Sequence, residues 1–184
     1  YPKTHRYSAR PDRTNGAFHA FTVGETGWPP AYMNIERSGA SADVVSDDTA
    51  PAGRALELGG GARVSQYCRF SKGKYLEFSL AFKLSENSDF SCGTESGAFF
   101  SVKGAAIMGA EDSAVPRGKW VSARGKIPFP LKGGEKWTLV ISGGGEEKSF
   151  EMRLPEKIRA NPTRFAFESG NGTTRIADIK MDAR

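Results

Sequence analysis

The side chains able to do chemistry in this chain are few, and their spacing excludes more than it supports. Cys68 and Cys92 stand far apart with no CxxC and no Cys/His cluster, so a zinc site has no basis. The pair is compatible with one disulfide in an exported protein and equally with two buried free thiols. Histidine occurs twice, as His5 and His19, and a Ser–His–Asp arrangement resting on His19 would lack a nucleophile-elbow sequence. Asp47-Asp48 and Glu146-Glu147 are adjacent carboxylates on expected loops. Neighbours of that kind do not flank one bond from two sides, as glycosidic acid–base pairs do. The sequence therefore leans away from an enzyme.

What remains is a set of aromatic rings among polar side chains able to hydrogen-bond. Trp28, Tyr32, Tyr67, Tyr75, Trp120 and Trp137 are the rings in question. Trp137 shares its alternation phase with Leu139 and Ile141, which places it in a core. Trp120 alternates with Ser122, Arg124 and Lys126, so it falls on a polar face, where a covering loop would account for it as well as a ligand would. Trp28 lies between Gly27 and Pro29-Pro30 on a loop.

Strands must position these residues. In Lys74–Leu84, KYLEFSLAFKL, the residues Leu76, Phe78, Leu80, Phe82 and Leu84 share one face, while Tyr75, Glu77, Ser79 and Lys83 share the other. Further strands are expected at Phe18–Val23, Ala42–Ser46, Arg54–Leu58, Ala62–Phe70 and Ala98–Lys103. Lys119–Ile127, Lys136–Ser142, Lys148–Leu154, Arg164–Glu168 and Thr174–Met181 complete the set. Glycine-rich turns such as Gly59-Gly60-Gly61 and Gly143-Gly144-Gly145 separate them. No long stretch repeats with helical period. On Ala62–Phe70, Val64, Gln66 and Cys68 are expected inward, and Arg63, Ser65, Tyr67 and Arg69 outward. The outward set is expected to form one polar surface with Tyr75, Glu77 and Lys83 of the following strand. About eleven strands in 184 residues argue for one all-β domain, two antiparallel sheets packed as a sandwich, over residues 17–184. Residues 1–16 read as a flexible basic lead-in.

The net charge of +5 is concentrated, with Lys3, Arg6, Arg10 and Arg13 in the lead-in and a second basic stretch from Arg117 to Lys136. Neither carries a phosphate loop or an RNA-recognition motif, so nucleic acid is not expected as a partner. No apolar run reaches the roughly 18 residues of a membrane helix.

Two regions carry a resemblance. Residues 21–61 place Gly-Trp-Pro after a first strand and a Gly-Arg-Ala-Leu step into a later one, which resembles the opening of many exported bacterial β-sandwich modules. GKWVSARGKI (118–127), KWTLVISG, FEMRLP, RFAFESGNG and TRIADIKM (174–181) resemble the final strands of the concanavalin A-like lectin/glucanase superfamily, laminin-G-like modules included. The pattern departs at Ala177, where the first Asp of a closing pair is usual. Ile176 and Ile179 are out of phase, which predicts a bulge. Galactose-binding-like jelly rolls share this closing strand, and the chain's length favours the concanavalin A-like form.

The resemblance implies a jelly roll that binds ligand on the concave face of a sheet. It implies a non-catalytic carbohydrate-binding or cell-surface module with a glycan partner. Tyr67, Arg69, Tyr75 and Glu77 are then the leading contacts, with Trp120, Arg124 and Trp28 beside them. A polysaccharide-processing enzyme, hydrolase or lyase, and a structural protein-adhesion module stay open. Hydrolases of this fold carry runs such as Glu-x-Asp-x-x-Glu, absent here, and its lyases use Tyr, His, Arg and Gln. A structural calcium could draw on Asp43, Asp47, Asp48 and Asp178, residues that otherwise stabilise turns. A secreted, periplasmic or cell-surface location is expected, with a signal peptide removed ahead of Tyr1.

Overall fold

The computed structural model describes residues 16–19, 33–68, 72–104, 106–110 and 113–184. Fourteen strands and no helix occur among them: β1 (Gly16–His19), β2 (Asn34–Arg37), β3 (Ala42–Ser46), β4 (Arg54–Leu58), β5 (Arg63–Tyr67), β6 (Tyr75–Leu84), β7 (Phe90–Thr94), β8 (Gly97–Lys103), β9 (Ala106–Ile107), β10 (Trp120–Pro128), β11 (Lys136–Gly143), β12 (Glu146–Arg153), β13 (Arg164–Ser169) and β14 (Thr174–Ala183). They form two antiparallel sheets. The eight-stranded sheet runs β12-β11-β10-β6-β14-β4-β3, with β1 also on β14; the six-stranded sheet runs β2-β5-β13-β7-β8-β9. This is the expected jelly-roll sandwich.

Alternation decides what lies between the sheets. The inward set of β6, Leu76, Phe78, Leu80, Phe82 and Leu84, is buried. Phe78 meets Phe99 of the opposite sheet with ring centroids 5.4 Å apart, and Phe82 meets Phe90 at 5.3 Å. Phe99 and Phe100 are consecutive yet both buried. A register shift between Cys92 and Gly93 leaves Phe99 unpaired, and this bulge turns both rings inward.

Trp137 is in the core, as its phase predicts, edge-on to Phe78 at 5.7 Å. Gly125 of β10 makes room for that contact. A Cβ there would lie 2.5 Å from ring atoms of both Phe78 and Trp137. Gly125→Ala should therefore cost about 1–3 kcal/mol through overpacking, read as a lower urea midpoint. An unchanged midpoint would show that the rings can yield.

The expected bulge in β14 is present: Ala177 pairs Ala81 and Lys180 pairs Ser79, with Asp178 at φ 50° between them. Before the bulge β14 also pairs β4, and after it β1. The β11–β12 hairpin closes through Gly144-Gly145, whose φ angles of 60° and 81° suit the two-residue turn that right-twisted strands require.

Two expectations are corrected. β5 and β6 are not neighbours, because the chain passes from the six-stranded sheet to the eight-stranded one between them. β2, β7 and β9 were not foreseen, being short and poor in alternating apolar residues. The N-terminal strand begins at Gly16, and residues 20–23 of the expected Phe18–Val23 lie outside the described residues. Cys68 and Cys92 are both buried and free. Burial pushes the Cys68 thiol up to about 12 and Cys92 well above the ordinary thiol value. A disulfide therefore lends export no support.

Candidate functional site

The outward faces of β6, β10, β11 and β14 enclose a groove of about 630 Å³. Strand register arranges its side chains in rows across the sheet. Lys180, Ser79, Arg124 and Val140 stand side by side on β14, β6, β10 and β11, and Asp182, Glu77, Lys126 and Thr138 form the next row. Arg184 lines the end beyond β14. The small Ser79 leaves a gap between Lys180 and Arg124, two strand spacings or ~10 Å apart at the backbone.

Most of these charges are already partnered. Arg184 Nε donates to Asp182 at 2.7 Å and lies 3.7 Å from Glu77. Arg124 donates from two nitrogens to the two oxygens of Glu147, each at 3.1 Å. Lys180 lies 3.8 Å from Asp178. Lys126 differs. Its Nζ sits over the Tyr75 ring at 4.3 Å from the centroid, and it has no carboxylate within ion-pairing distance among the described residues. Tyr75 itself is 40% exposed. The groove thus presents an ammonium that has no carboxylate partner among the described residues and rests on a part-exposed aromatic ring at its edge.

The far end of the same sheet face is built differently. Trp120 donates its indole N–H to Thr49 Oγ1 at 2.9 Å, and Lys83 lies over its ring at 5.4 Å. Lys83 and Arg175 both bind the buried Asp47 carboxylate, at 2.6 and 3.0 Å, and Arg175 also holds Glu57 at 3.1 Å. Burial alone would raise the Asp47 carboxyl; hydrogen bonds from Lys83, Thr49 and Arg175 outweigh it and hold the group well below the usual carboxylate range. This end is a closed ion-pair network that pins the loop over Trp120.

No family model and no curated protein sequence matches the chain. Solved structures do. The endo-β-1,4-glucuronan lyase of the fungus Trichoderma reesei aligns at TM-score 0.57 with 9% identity, covering 93% of this chain and 96% of that one. Alginate lyase Aly36B aligns at TM-score 0.54 with 8% identity over 93% and 98% of the two chains. The PL-14 alginate lyase of Aplysia kurodai aligns at 0.51 with 10% identity over 77% and 87%. The likeness is one of fold.

Of the residues singled out by sequence, Tyr75, Glu77 and Arg124 come together in or beside the groove, and Trp120 lies on the same sheet face, tied to Thr49. Tyr67 does not join them. It is exposed on the outer face of the six-stranded sheet, where Arg63 pairs Glu36 at 2.6 Å and Glu168 at 3.3 Å. The expected single surface is thus divided, with Tyr67 on one sheet and Tyr75 and Glu77 on the other. Arg69 and Trp28 lie outside the described residues. Asp43 pairs in register with Glu57, Asp47 is consumed by its two cations, and Asp178 is on the bulge. Among the described residues no three His, Cys, Asp or Glu gather as a metal site. Sequence reasoning passed over Lys126, Lys180, Asp182 and Arg184. Lys126 was legible from its phase with Arg124, whereas the bulge hid the other three.

Proposed function

We propose that the groove on the eight-stranded sheet binds an acidic polysaccharide. The observation that carries this is Lys126, an ammonium without a carboxylate partner among the described residues, set over the exposed ring of Tyr75. A uronate unit offers what that pair can use, a carboxylate for the ammonium and a ring face for the phenol. Arg124 and Lys180 extend positive charge along the neighbouring row, and Arg184 closes the end. The fold neighbours named for glucuronan and alginate support a polymer of this charge. A protein-adhesion role would call for a flat apolar patch. The exposed large apolar side chains among the described residues, Tyr67, Tyr75 and Met108, instead occupy non-neighbouring strands or lie beyond them. A place outside the cell goes with a polysaccharide partner.

A second reading, β-elimination on the same polymer, is favoured by Tyr75. The Tyr75 oxygen could take the α-proton and return it to the glycosidic oxygen that leaves as its C–O bond breaks and the double bond forms, while the Lys126 ammonium, 4.3 Å from the ring centroid, pairs with the uronate carboxylate on which charge builds. One experiment addresses both readings. Calorimetric titration with alginate should show binding that weakens with added salt, while a neutral glucan gives none. Incubation with alginate is followed for the absorbance of unsaturated ends. Binding without that absorbance supports a binding module, and its appearance supports the lyase. Equal heats for alginate and neutral glucan would sink the acidic-ligand reading.

A further inference from the structure

We infer that Glu147 is an internal competitor for the Arg124 guanidinium, which an anionic group of the ligand must displace before Arg124 can bind it. This rests on the groove being an acidic-polysaccharide site. Arg124 projects from the middle of β10 into the row that holds Ser79 and Lys180. Its two terminal nitrogens meet the two oxygens of Glu147 at 3.1 Å each. That fork-on-fork geometry is the one a guanidinium offers to a uronate carboxylate or a sulfate. Glu147 therefore occupies the bonding positions that a ligand anion would take.

The competitor is built to exchange. Glu147 belongs to β12 at the edge of the sheet, two residues past the Gly144-Gly145 turn, and Ser142 Oγ donates to it at 3.2 Å. The side chains of Arg124 and Glu147 are 54% and 55% exposed. An open pair of this kind is screened by water and stabilises the fold little, so it exchanges readily. The hydrogen bond and charge of Arg124 hold the Glu147 carboxyl below its usual range, so it is ionised at neutral pH. Ligand binding at Arg124 then trades one carboxylate for another, and the Arg124 contribution is masked in the wild type.

The test is titration of alginate at low ionic strength into the wild type, E147Q, E151Q, R124A and R124A/E147Q. E151Q is the charge control: it removes the same charge from the same strand, but Glu151 faces Lys136 at 3.5 Å and leaves Arg124 alone. E147Q should bind about two- to fivefold more tightly than the wild type, beyond any gain in E151Q. In the R124A background the added E147Q change should give no more than E151Q gives in the wild type. Wild-type binding with E147Q no tighter than E151Q would overturn the competitor alone. Absence of binding by all five proteins would overturn the acidic-polysaccharide reading and the competitor with it.

Discussion

Lys126→Ala should weaken alginate binding about ten- to thirtyfold, the value of one charge-assisted contact, while the protein melts as before. The side chain is exposed and forms no ion pair among the described residues, so its loss should change stability by no more than about 0.5 kcal/mol. Arg124, Lys180 and Arg184 already carry carboxylates, so none of them substitutes for the uncommitted ammonium. Tyr75→Ala should weaken binding in the same assay without adding to the salt dependence, because a ring face carries no net charge. Affinity gel electrophoresis with alginate in the matrix reads both changes as restored mobility. Mobility of Lys126→Ala equal to the wild type would remove the site.

The second large effect concerns stability. Asp47→Asn should destabilise the protein by about 1–3 kcal/mol, because it removes a buried charge from between Lys83 and Arg175. At this chain length that is roughly 3–10 °C in Tm. The pH dependence follows from the direction of the shift. The folded-state carboxyl titrates below its unfolded value, so its stabilisation is complete at neutral pH. It is lost as pH falls through the unfolded value near 4 towards the folded one. The gap in Tm between wild type and Asp47→Asn should therefore narrow progressively below about pH 4. A gap that stays constant down to pH 2.5 would mean that the charge is not what the network uses. Trp120 provides a spectroscopic companion, since its indole is tied to Thr49 on the loop that Asp47 holds.

The fold was legible where one strand face is buried and the other wet. KYLEFSLAFKL, Ala42–Ser46 and Arg54–Leu58 appear as read, because period-two alternation is a local property of sequence. Strand adjacency is not local. Tyr67 and Tyr75 are eight positions apart, and only the crossing of the chain between sheets separates their faces. The converse holds for the groove, where Glu77 and Asp182 stand directly opposite each other from distant parts of the chain. The ammonium of Lys126 could be placed outward by its phase with Arg124. Its lack of a carboxylate depends on where Glu77, Glu147 and Asp182 send theirs, and that emerges only in three dimensions.

The bulge at Asp178 also acts as a shift of reading frame within one strand. Ahead of it, Arg175 and Ala177 point away from the core and Ile176 into it; behind it, Lys180 and Asp182 point away and Ile179 and Met181 point in. Odd positions serve the surface on one side and even positions on the other. Were Asp178 paired as an ordinary strand residue instead of bulged out of the ladder, the downstream half would be out of phase, with Lys180 and Asp182 driven into the sandwich and Ile179 and Met181 into the groove. Binding chemistry and core packing at this end of β14 therefore both depend on that one residue staying out of the ladder.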